Sequence, residues 1–120
     1  MANEISVSAS VSASKNGVSL SQSGSKLITM AGDDMLVNTQ VIGTSAELID
    51  FAEIAGAPSV LFVKNTDSTN FVELGGDSGL TVFKMKLPAG HVAVFQPSSA
   101  TLYAKADTAA VRLLILATEA

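Results

Sequence analysis

The sequence predicts an all-β fold: a single-domain, antiparallel β-sandwich that is jelly-roll-like and has about 8–10 short strands. Two observations indicate this. Short apolar runs separated by turn residues follow one another along the chain, a pattern typical of sandwiches and barrels. The N-terminal stretch alternates between apolar residues and serine, which is the period of a strand. We expect a hairpin arm over residues 1–25 and the sandwich over residues 26–120.

Residues 4–23 are predicted to form the β-hairpin of this arm. From Ile5 to Ser14, apolar residues alternate with serines, which places the two kinds of side chain on opposite faces of a strand. Asn16-Gly17 follows, and this pair is the strongest short hairpin signal because both residues tolerate positive φ. Alternation then resumes over residues 18–23.

The apolar face of the hairpin is predicted to contact a neighbouring subunit. Its side chains are small and would bury little area within one domain, while an open ribbon offers free edges for pairing. An ordinary N-terminal hairpin of the sheet, or a partly disordered tail, is the alternative. The residues predicted to make the contact are Ile5, Val7, Val11, Val18 and Leu20.

Residues 26–54 predict two strands and one ambiguous segment. The strands are Lys26–Met30 and Met35–Ile42. In residues 46–54, Ser45 could cap a short helix with one apolar face. An extended segment fits the same residues, and the all-β setting favours it.

The second half of the chain supplies the remaining strands. Ser59–Lys64 contains four consecutive apolar residues, which predicts a central strand covered on both faces. Asn65–Asn70 is predicted to be a hairpin turn and Phe71–Leu74 the strand that returns from it. The other predicted strands are Leu80–Lys86, His91–Gln96, Thr101–Ala106 and Val111–Thr118.

The composition limits the possible functions. Only 15% of the residues are charged, against about a quarter in an ordinary globular domain, so the surface is either unusually neutral or buried against other chains. A net charge of −4 with scattered basic residues argues against nucleic-acid binding. There is no cysteine for a disulfide or a thiolate metal site. With no secretory signal and no apolar run of the ~18 residues that a span needs, we expect synthesis in the cytoplasm and no membrane contact.

One motif suggests catalysis. Gly76-Asp77-Ser78-Gly79 matches the tetrad around the nucleophile of trypsin-like serine proteases. That mechanism requires a histidine base. The single histidine, His91, follows the serine, the wrong chain order for that family, and the chain is too short for a double barrel. A glycine-rich turn explains the tetrad, and we expect no enzymatic activity.

Candidate ligands for a metal are also better explained as turns. Asn65, Asp67 and Thr69 alternate like calcium ligands, but the sixth and twelfth loop positions hold Asn70 and Gly76 instead of glycine and glutamate. No metal or cofactor is expected. Weaker candidates set aside in the same way are the Asp33-Asp34 pair, the isolated His91, and Asp50 with Glu53 as a glycosidase-like carboxylate pair.

Several segments resemble small virion proteins of tailed bacteriophages. Lys-Asn-x-Asp, Leu-x-x-Gly and Leu-x-Ala-x-Ala are frequent in that group, and they occur here in this order at residues 64–67, 87–90 and 102–106. Residues 41–47 complete the similarity, which covers most of residues 26–118 and consists of turn and strand motifs. The resemblance implies a β-sandwich that sits on the capsid as cement or decoration, or in the neck, tail or fibre.

The expected function is therefore that of a non-enzymatic virion structural protein, with head decoration or cement favoured. Its expected partners are other copies of itself, in a homotrimer or another homo-oligomer, and the major capsid protein or other virion proteins. A neck, tail or fibre component is the alternative of the same class. A small glycan-binding or ligand-binding β module is the alternative of another class, although the chain has no tryptophan and a single tyrosine, Tyr103.

Overall fold

The structure is a computed structural model that describes residues 4–30, 32–52, 54, 56–81 and 84–119. In these ranges the chain forms ten strands, all paired antiparallel, and no helix, which confirms the all-β prediction. The chain divides into two compact units, residues 1–31 and residues 32–120. The strands are β1 (Ile5–Lys15), β2 (Val18–Ile28), β3 (Met35–Ile42), β4 (Glu47–Leu48), β5 (Val60–Asn65), β6 (Val72–Gly75), β7 (Lys84–Leu87), β8 (Val92–Phe95), β9 (Tyr103–Ala106) and β10 (Val111–Thr118).

The first unit contains the predicted hairpin. Its register runs from Ile5 opposite Ile28 to Lys15 opposite Val18. Between the strands, Asn16 and Gly17 have φ values of 52° and 80°, as a two-residue type I′ turn requires.

The hairpin is longer than predicted. The strand expected separately over residues 26–30 is the end of β2, because Gly24 stays in the ladder opposite Ala9 and pairing continues to Ile28. The unit accordingly ends after residue 31, where the sequence placed the end of the arm at residue 25. Glycine at this position did not break the strand because its partner strand continues alongside it.

The second unit is a jelly roll. Its sheets have the strand orders β3-β10-β5-β8 and β4-β9-β6-β7. The pairing is nested: β3 pairs with β10, β4 with β9, β5 with β8, and β6 with β7. Eight strands arranged as one long hairpin rolled into two sheets form a jelly roll, and the predicted fold is confirmed.

The core of this unit lies between its two sheets. Along β10, Val111, Leu113 and Ile115 are buried while Arg112 and Leu116 are exposed, so alternate residues face the core. The segment after β4 adds Ile49, Phe51 and Ile54 to the core. Residues 46–54 begin as a strand and then continue irregularly, with Ile49 N donating to Leu102 O at 2.8 Å. The extended interpretation was therefore correct for the start of this segment.

The connection from β5 to β6 does not close a hairpin. These strands lie in different sheets, so residues 66–71 cross from one sheet to the other. The prediction of a returning strand was wrong because turn residues mark a change of direction without identifying the strand that pairs next.

The strand predicted over Leu80–Lys86 does not include Leu80 or Thr81 in the structure. Leu80 is buried with φ at 55°, which is turn backbone, and β7 begins at Lys84. Asp77 holds this turn, because its carboxylate accepts hydrogen bonds from Thr81 N and Thr81 Oγ1, both at 2.7 Å. Val82 and Phe83 lie outside the described residues.

Candidate assembly surfaces

The hairpin has one apolar face and one serine face. Residues directly opposite each other in an antiparallel pair share a face, and the register places Ala13 opposite Leu20 and Lys15 opposite Val18. The opposite face carries cross-strand serine pairs. These pairs are Ser8 with Ser25, Ser10 with Ser23, Ser12 with Ser21, and Ser14 with Ser19.

The five residues predicted to contact a neighbouring subunit all lie on the apolar face. Val11, Val18 and Leu20 expose 73%, 61% and 71% of their surface. Val7 is half-buried and Ile5 is buried. The structure thus brings the five onto one face and leaves three of them open, while the subunit contact itself stays a prediction.

This hairpin is exposed on both faces over most of its length. Every residue from Ser8 to Leu27 is exposed, and in the described part of the chain β1 and β2 form a sheet of two strands. An isolated two-stranded hairpin is marginally stable in water, and its unpaired edges are templates for another chain. The hairpin therefore has the properties of a segment that another molecule covers.

A second apolar surface lies on the outer face of the sheet β3-β10-β5-β8. The register aligns one residue from each strand in a single row across the sheet. We call this surface the outer sheet face. The row consists of Val37, Leu116, Phe62 and Val94, and the rest of the surface comprises Met35, Thr39, Val41, Lys64, Val92, Arg112 and Leu114.

β3 turns its more apolar side away from the core. Met35, Val37 and Val41 are 67%, 66% and 50% exposed, whereas Asn38 and Gln40 alternate with them on the core side. Gln40 is satisfied there, because its Nε2 donates to Leu48 O and its Oε1 accepts from Asp50 N, both at 2.9 Å. Two amides on the core side of an apolar strand were the signal in the sequence that could have revealed the outer sheet face.

β5 completes this surface and corrects one prediction. It is an interior strand, paired with both β10 and β8, as expected from its apolar run. It is not covered on both faces, since Phe62 is half-buried and Lys64 is exposed.

The residues that alternate like calcium ligands, Asn65, Asp67 and Thr69, lie at the end of β5 and in the loop after it. Hydrogen bonds between side chains and backbone hold this loop. Asn65 is fully buried, with Nδ2 donating to Asn70 O at 2.9 Å and to Leu87 O at 3.0 Å. Its Oδ1 accepts from Asp67 N at 2.9 Å. Hydrogen bonds from the backbone N–H groups of Asn70 and Thr69 lower the pKa of Asp67. Within the described ranges, no group of three or more histidine, aspartate and glutamate side chains is placed to hold a metal ion.

Acid should weaken this loop through Asp67. Its folded pKa lies below the ordinary value of 3.8, so the ionised carboxylate stabilises the fold above the unfolded pKa, and this contribution is lost as the pH falls through the folded pKa. We expect Asp67→Asn to remove this part of the acid dependence, measured as the free energy of unfolding between about pH 5 and pH 2. Asp107→Asn, at an exposed turn position, is the control with the same charge change, and identical pH profiles for the two variants would contradict the expectation.

The residues of the protease-like tetrad lie in the turn between β6 and β7. Ser78 is exposed there, and Leu80 N donates to Asp77 O at 3.0 Å. His91 is exposed in the loop before β8, which is a strand of the other sheet. The backbone N–H of His91 donates to Pro88 O at 3.0 Å. The tetrad thus lies at the closed end of the long hairpin, β3 to β10, that is rolled into the jelly roll.

Asp33, Asp34 and Asp50, the other weak candidates that the structure describes, lie in connections between strands. The backbone N–H groups of Asp33 and Asp34 donate to Glu119 Oε1 at 2.8 and 3.1 Å. Asp50 Oδ1 accepts from Ala52 N at 2.8 Å. Glu53, its proposed carboxylate partner, lies outside the described residues.

Aromatic side chains contribute little to the described surface. The large hydrophobic residues exposed there are valine, leucine and methionine. Tyr103 is half-buried, and Lys86 Nζ lies 4.3 Å from the centre of the Phe71 ring. In the same residues no helix is long and apolar enough to span a membrane.

Comparisons with protein-family models, with curated proteins and with solved structures found no match to this chain.

Proposed function

We propose that this protein is a non-enzymatic structural component of a tailed-bacteriophage virion, most suited to decorating and cementing the capsid. The observation that carries the proposal is the hairpin, a long ribbon with an exposed apolar face and no charged residue between Ile5 and Ser14 or between Val18 and Ser25. The choice of a phage virion rests on the resemblance of residues 64–67, 87–90 and 102–106 to small virion proteins.

Leaving the apolar face of this ribbon in water costs free energy. Full burial of a valine or leucine side chain contributes about 1.5–3 kcal/mol, and Val11, Val18 and Leu20 are largely exposed. Contact with another subunit would gain much of this free energy and order the ribbon at the same time. On a capsid, many such contacts of modest strength add up through multivalency. Copies of this chain and the major capsid protein are the proposed partners.

The glycan-binding alternative is less well supported. A jelly roll occurs in viral capsid proteins, lectins and cupins alike, so the fold does not decide between them. Sugar rings usually stack on exposed aromatic side chains, whereas the exposed hydrophobic residues described here are aliphatic. The aliphatic face of the ribbon, which is uncharged between Ile5 and Ser14 and between Val18 and Ser25, therefore favours assembly.

The test compares virions that contain different forms of this chain. Leu20→Glu should reduce the copies retained on purified heads at least about tenfold, because a carboxylate would have to be buried in the contact. Ser19→Glu, one residue away on the serine face, should leave retention unchanged. Labelling of the full chain followed by electron microscopy would show its position on the particle.

Three results would overturn either the proposed contact or the proposed position on the head. Full retention of Leu20→Glu would exclude the apolar face of the hairpin as the contact. Label at the neck, tail or fibre would replace decoration by the alternative of the same class. Binding of the free protein to a glycan array, with no copies on particles, would favour the module of the other class.

A further inference from the structure

We propose that the free edge of β3 is a docking site for an extended segment of a partner protein, which adds to the sheet β3-β10-β5-β8 as an antiparallel fifth strand. The segment that fits carries an apolar side chain beside Val37 and a carboxylate beside Val41. Every residue of this site belongs to the second unit, so the site depends neither on the hairpin nor on a place in a virion.

Four strands form the described edges of the two sheets of the sandwich, and three of them have features that discourage pairing. Soluble proteins protect exposed edges by short strands, lysine or proline. β4 has two residues, and β7 contains Lys84 and Lys86. β8 has four residues, and Gln96 and Pro97 follow it. β3 has eight residues without a charge or a proline, so its edge is open to another strand.

The hydrogen bonds of β10 identify the backbone groups that β3 turns to this edge. Arg112 O and Thr118 O accept from backbone N–H groups on the β5 side, and backbone groups alternate in direction along a strand. The odd-numbered residues of β10 therefore face β3, and their partners in the register are the even-numbered residues of β3. The residues that direct their N–H and C=O groups to the free edge are Met35, Val37, Thr39 and Val41.

Thr39 agrees with this direction and is covered by a neighbouring side chain. Its N–H donates to Asn38 Oδ1 at 2.8 Å, on the side away from β10. Asn38 is exposed, so a docking strand can displace this amide at small cost, because the amide returns to water. The local bond would then be replaced by a bond of the strand ladder.

The side chains along this edge favour a partly apolar polypeptide. Met35 and Val37 are largely exposed and Val41 is half exposed, and all three lie on the outer sheet face. Residues directly opposite each other in an antiparallel pair share a face, so an apolar residue of the segment would cover Val37. A row of free N–H and C=O groups is complementary to another polypeptide backbone, which identifies the occupant as a protein strand.

Charge at one end of β3 determines which end of the segment is acidic. Arg112 lies opposite Val41, and within the described part of the chain it forms no salt bridge. A strand added beside β3 lies two strand spacings, about 9.6 Å, from β10, a distance that an arginine and a glutamate side chain span together. Since an antiparallel ladder is the more stable kind, the carboxylate belongs near the N-terminal end of the segment.

A short peptide tests the site without knowledge of the natural partner. The probe is the acetylated and amidated octapeptide Thr-Glu-Thr-Thr-Ser-Val-Ser-Val, whose second residue would lie opposite Val41 and whose sixth would lie opposite Val37. We expect it to bind the isotope-labelled full chain with a dissociation constant below about 1 mM, measured by nuclear magnetic resonance. At saturation, amide hydrogen exchange at Val37 and Val41 should slow at least about tenfold, because the peptide accepts hydrogen bonds from both N–H groups.

N-methylation of the peptide distinguishes strand pairing from other contacts. Its fourth and sixth residues would face β3, so methyl groups on their nitrogens should raise the dissociation constant at least about tenfold. Its third and fifth residues would face away, so methyl groups on their nitrogens should change the dissociation constant less than about twofold.

Two proline substitutions compare the edges of the same sheet. Val37→Pro removes an N–H group from the free edge and spares the ladder to β10, a position where strands tolerate proline, and it should raise the dissociation constant at least about tenfold. Val94→Pro is the matched control on β8, since Val94 is exposed on the same face and its N–H also points away from the sheet, and it should leave binding unchanged. Asn38→Ala should strengthen binding, because the bond that the peptide displaces is gone.

A charge exchange tests the orientation of the segment. Arg112→Glu should raise the dissociation constant of the peptide at least about fivefold, and lysine in place of the peptide's glutamate should restore binding. Lys105→Glu, on β9 of the other sheet, makes the same charge change and should leave binding unchanged.

Four results would overturn the proposed docking site. The first is no binding of the unmodified peptide up to about 1 mM. Equal binding of the two methylated peptides would exclude a backbone ladder. Slowed exchange at Val94 in place of Val37 would put the peptide on the other edge of the sheet. Exchange at Val37 and Val41 that is already slow without peptide would mean that another part of this chain, or a second copy, holds the edge.

Discussion

Replacing Asn65 by aspartate should reduce the free energy of unfolding of the sandwich by about 4 kcal/mol at neutral pH. Asn65 is fully buried, and its Nδ2 donates to Asn70 O and Leu87 O. Aspartate has the same shape but would place an oxygen against these two carbonyl oxygens. A buried charge would then face two acceptors that have both lost their donor.

The pH dependence of the Asn65→Asp variant provides a check. At low pH a protonated carboxyl can donate to one of the two carbonyls, so the loss of stability should shrink as the pH falls. Urea unfolding at a fixed protein concentration measures this, because association would otherwise alter the apparent stability.

Asn38→Asp is the matched control for Asn65→Asp. Asn38 is exposed, and its Oδ1 accepts from Thr39 N at 2.8 Å, an interaction that aspartate can keep. We expect a change within about 0.5 kcal/mol. Similar losses in both variants would mean that the side chain of Asn65 does not hold the loop as described.

At Asn65 the sequence predicted the turn but not the distant hydrogen-bond partner of the side chain. Lys64-Asn65-Thr66-Asp67 correctly indicated a break after β5, because asparagine and aspartate bond to nearby backbone in turns. The bond to Leu87 O joins residues 22 positions apart. That partner depends on how the sheets pack, which no local motif specifies.

Local signals were reliable where the neighbouring residues decide the structure. The Asn16-Gly17 turn and the alternation on both sides of it gave the hairpin and its two faces. Similarly, β3, β8, β9 and β10 lie within the predicted runs. Each of these depends on φ preferences or on the two-residue period of a strand.

Predictions of which strands pair, and of which strand face meets the core, were less reliable. Alternation in β3 defined two faces but not the one that meets the core, so the outer sheet face was missed. The pairing of β5 with β8 and β10 instead of β6 was missed for the same reason. In both cases the answer depends on strands far away in the sequence.

The β10 strand provides the strongest test of which face is the core. Leu113 is fully buried between the sheets, in register with Gln40 and Asn65. Leu113→Ala should lower the free energy of unfolding by about 3 kcal/mol, since it removes buried methyl groups and leaves a cavity. Chemical denaturation at low protein concentration measures the loss.

Leu116 is the matched control on the same strand. It is 37% exposed on the outer sheet face, so Leu116→Ala should cost less than about 1 kcal/mol in the isolated chain. A slip of one residue in the register of β10 would exchange the two faces, and Leu116→Ala would then be the more damaging change. Equal costs of the two substitutions would contradict the register.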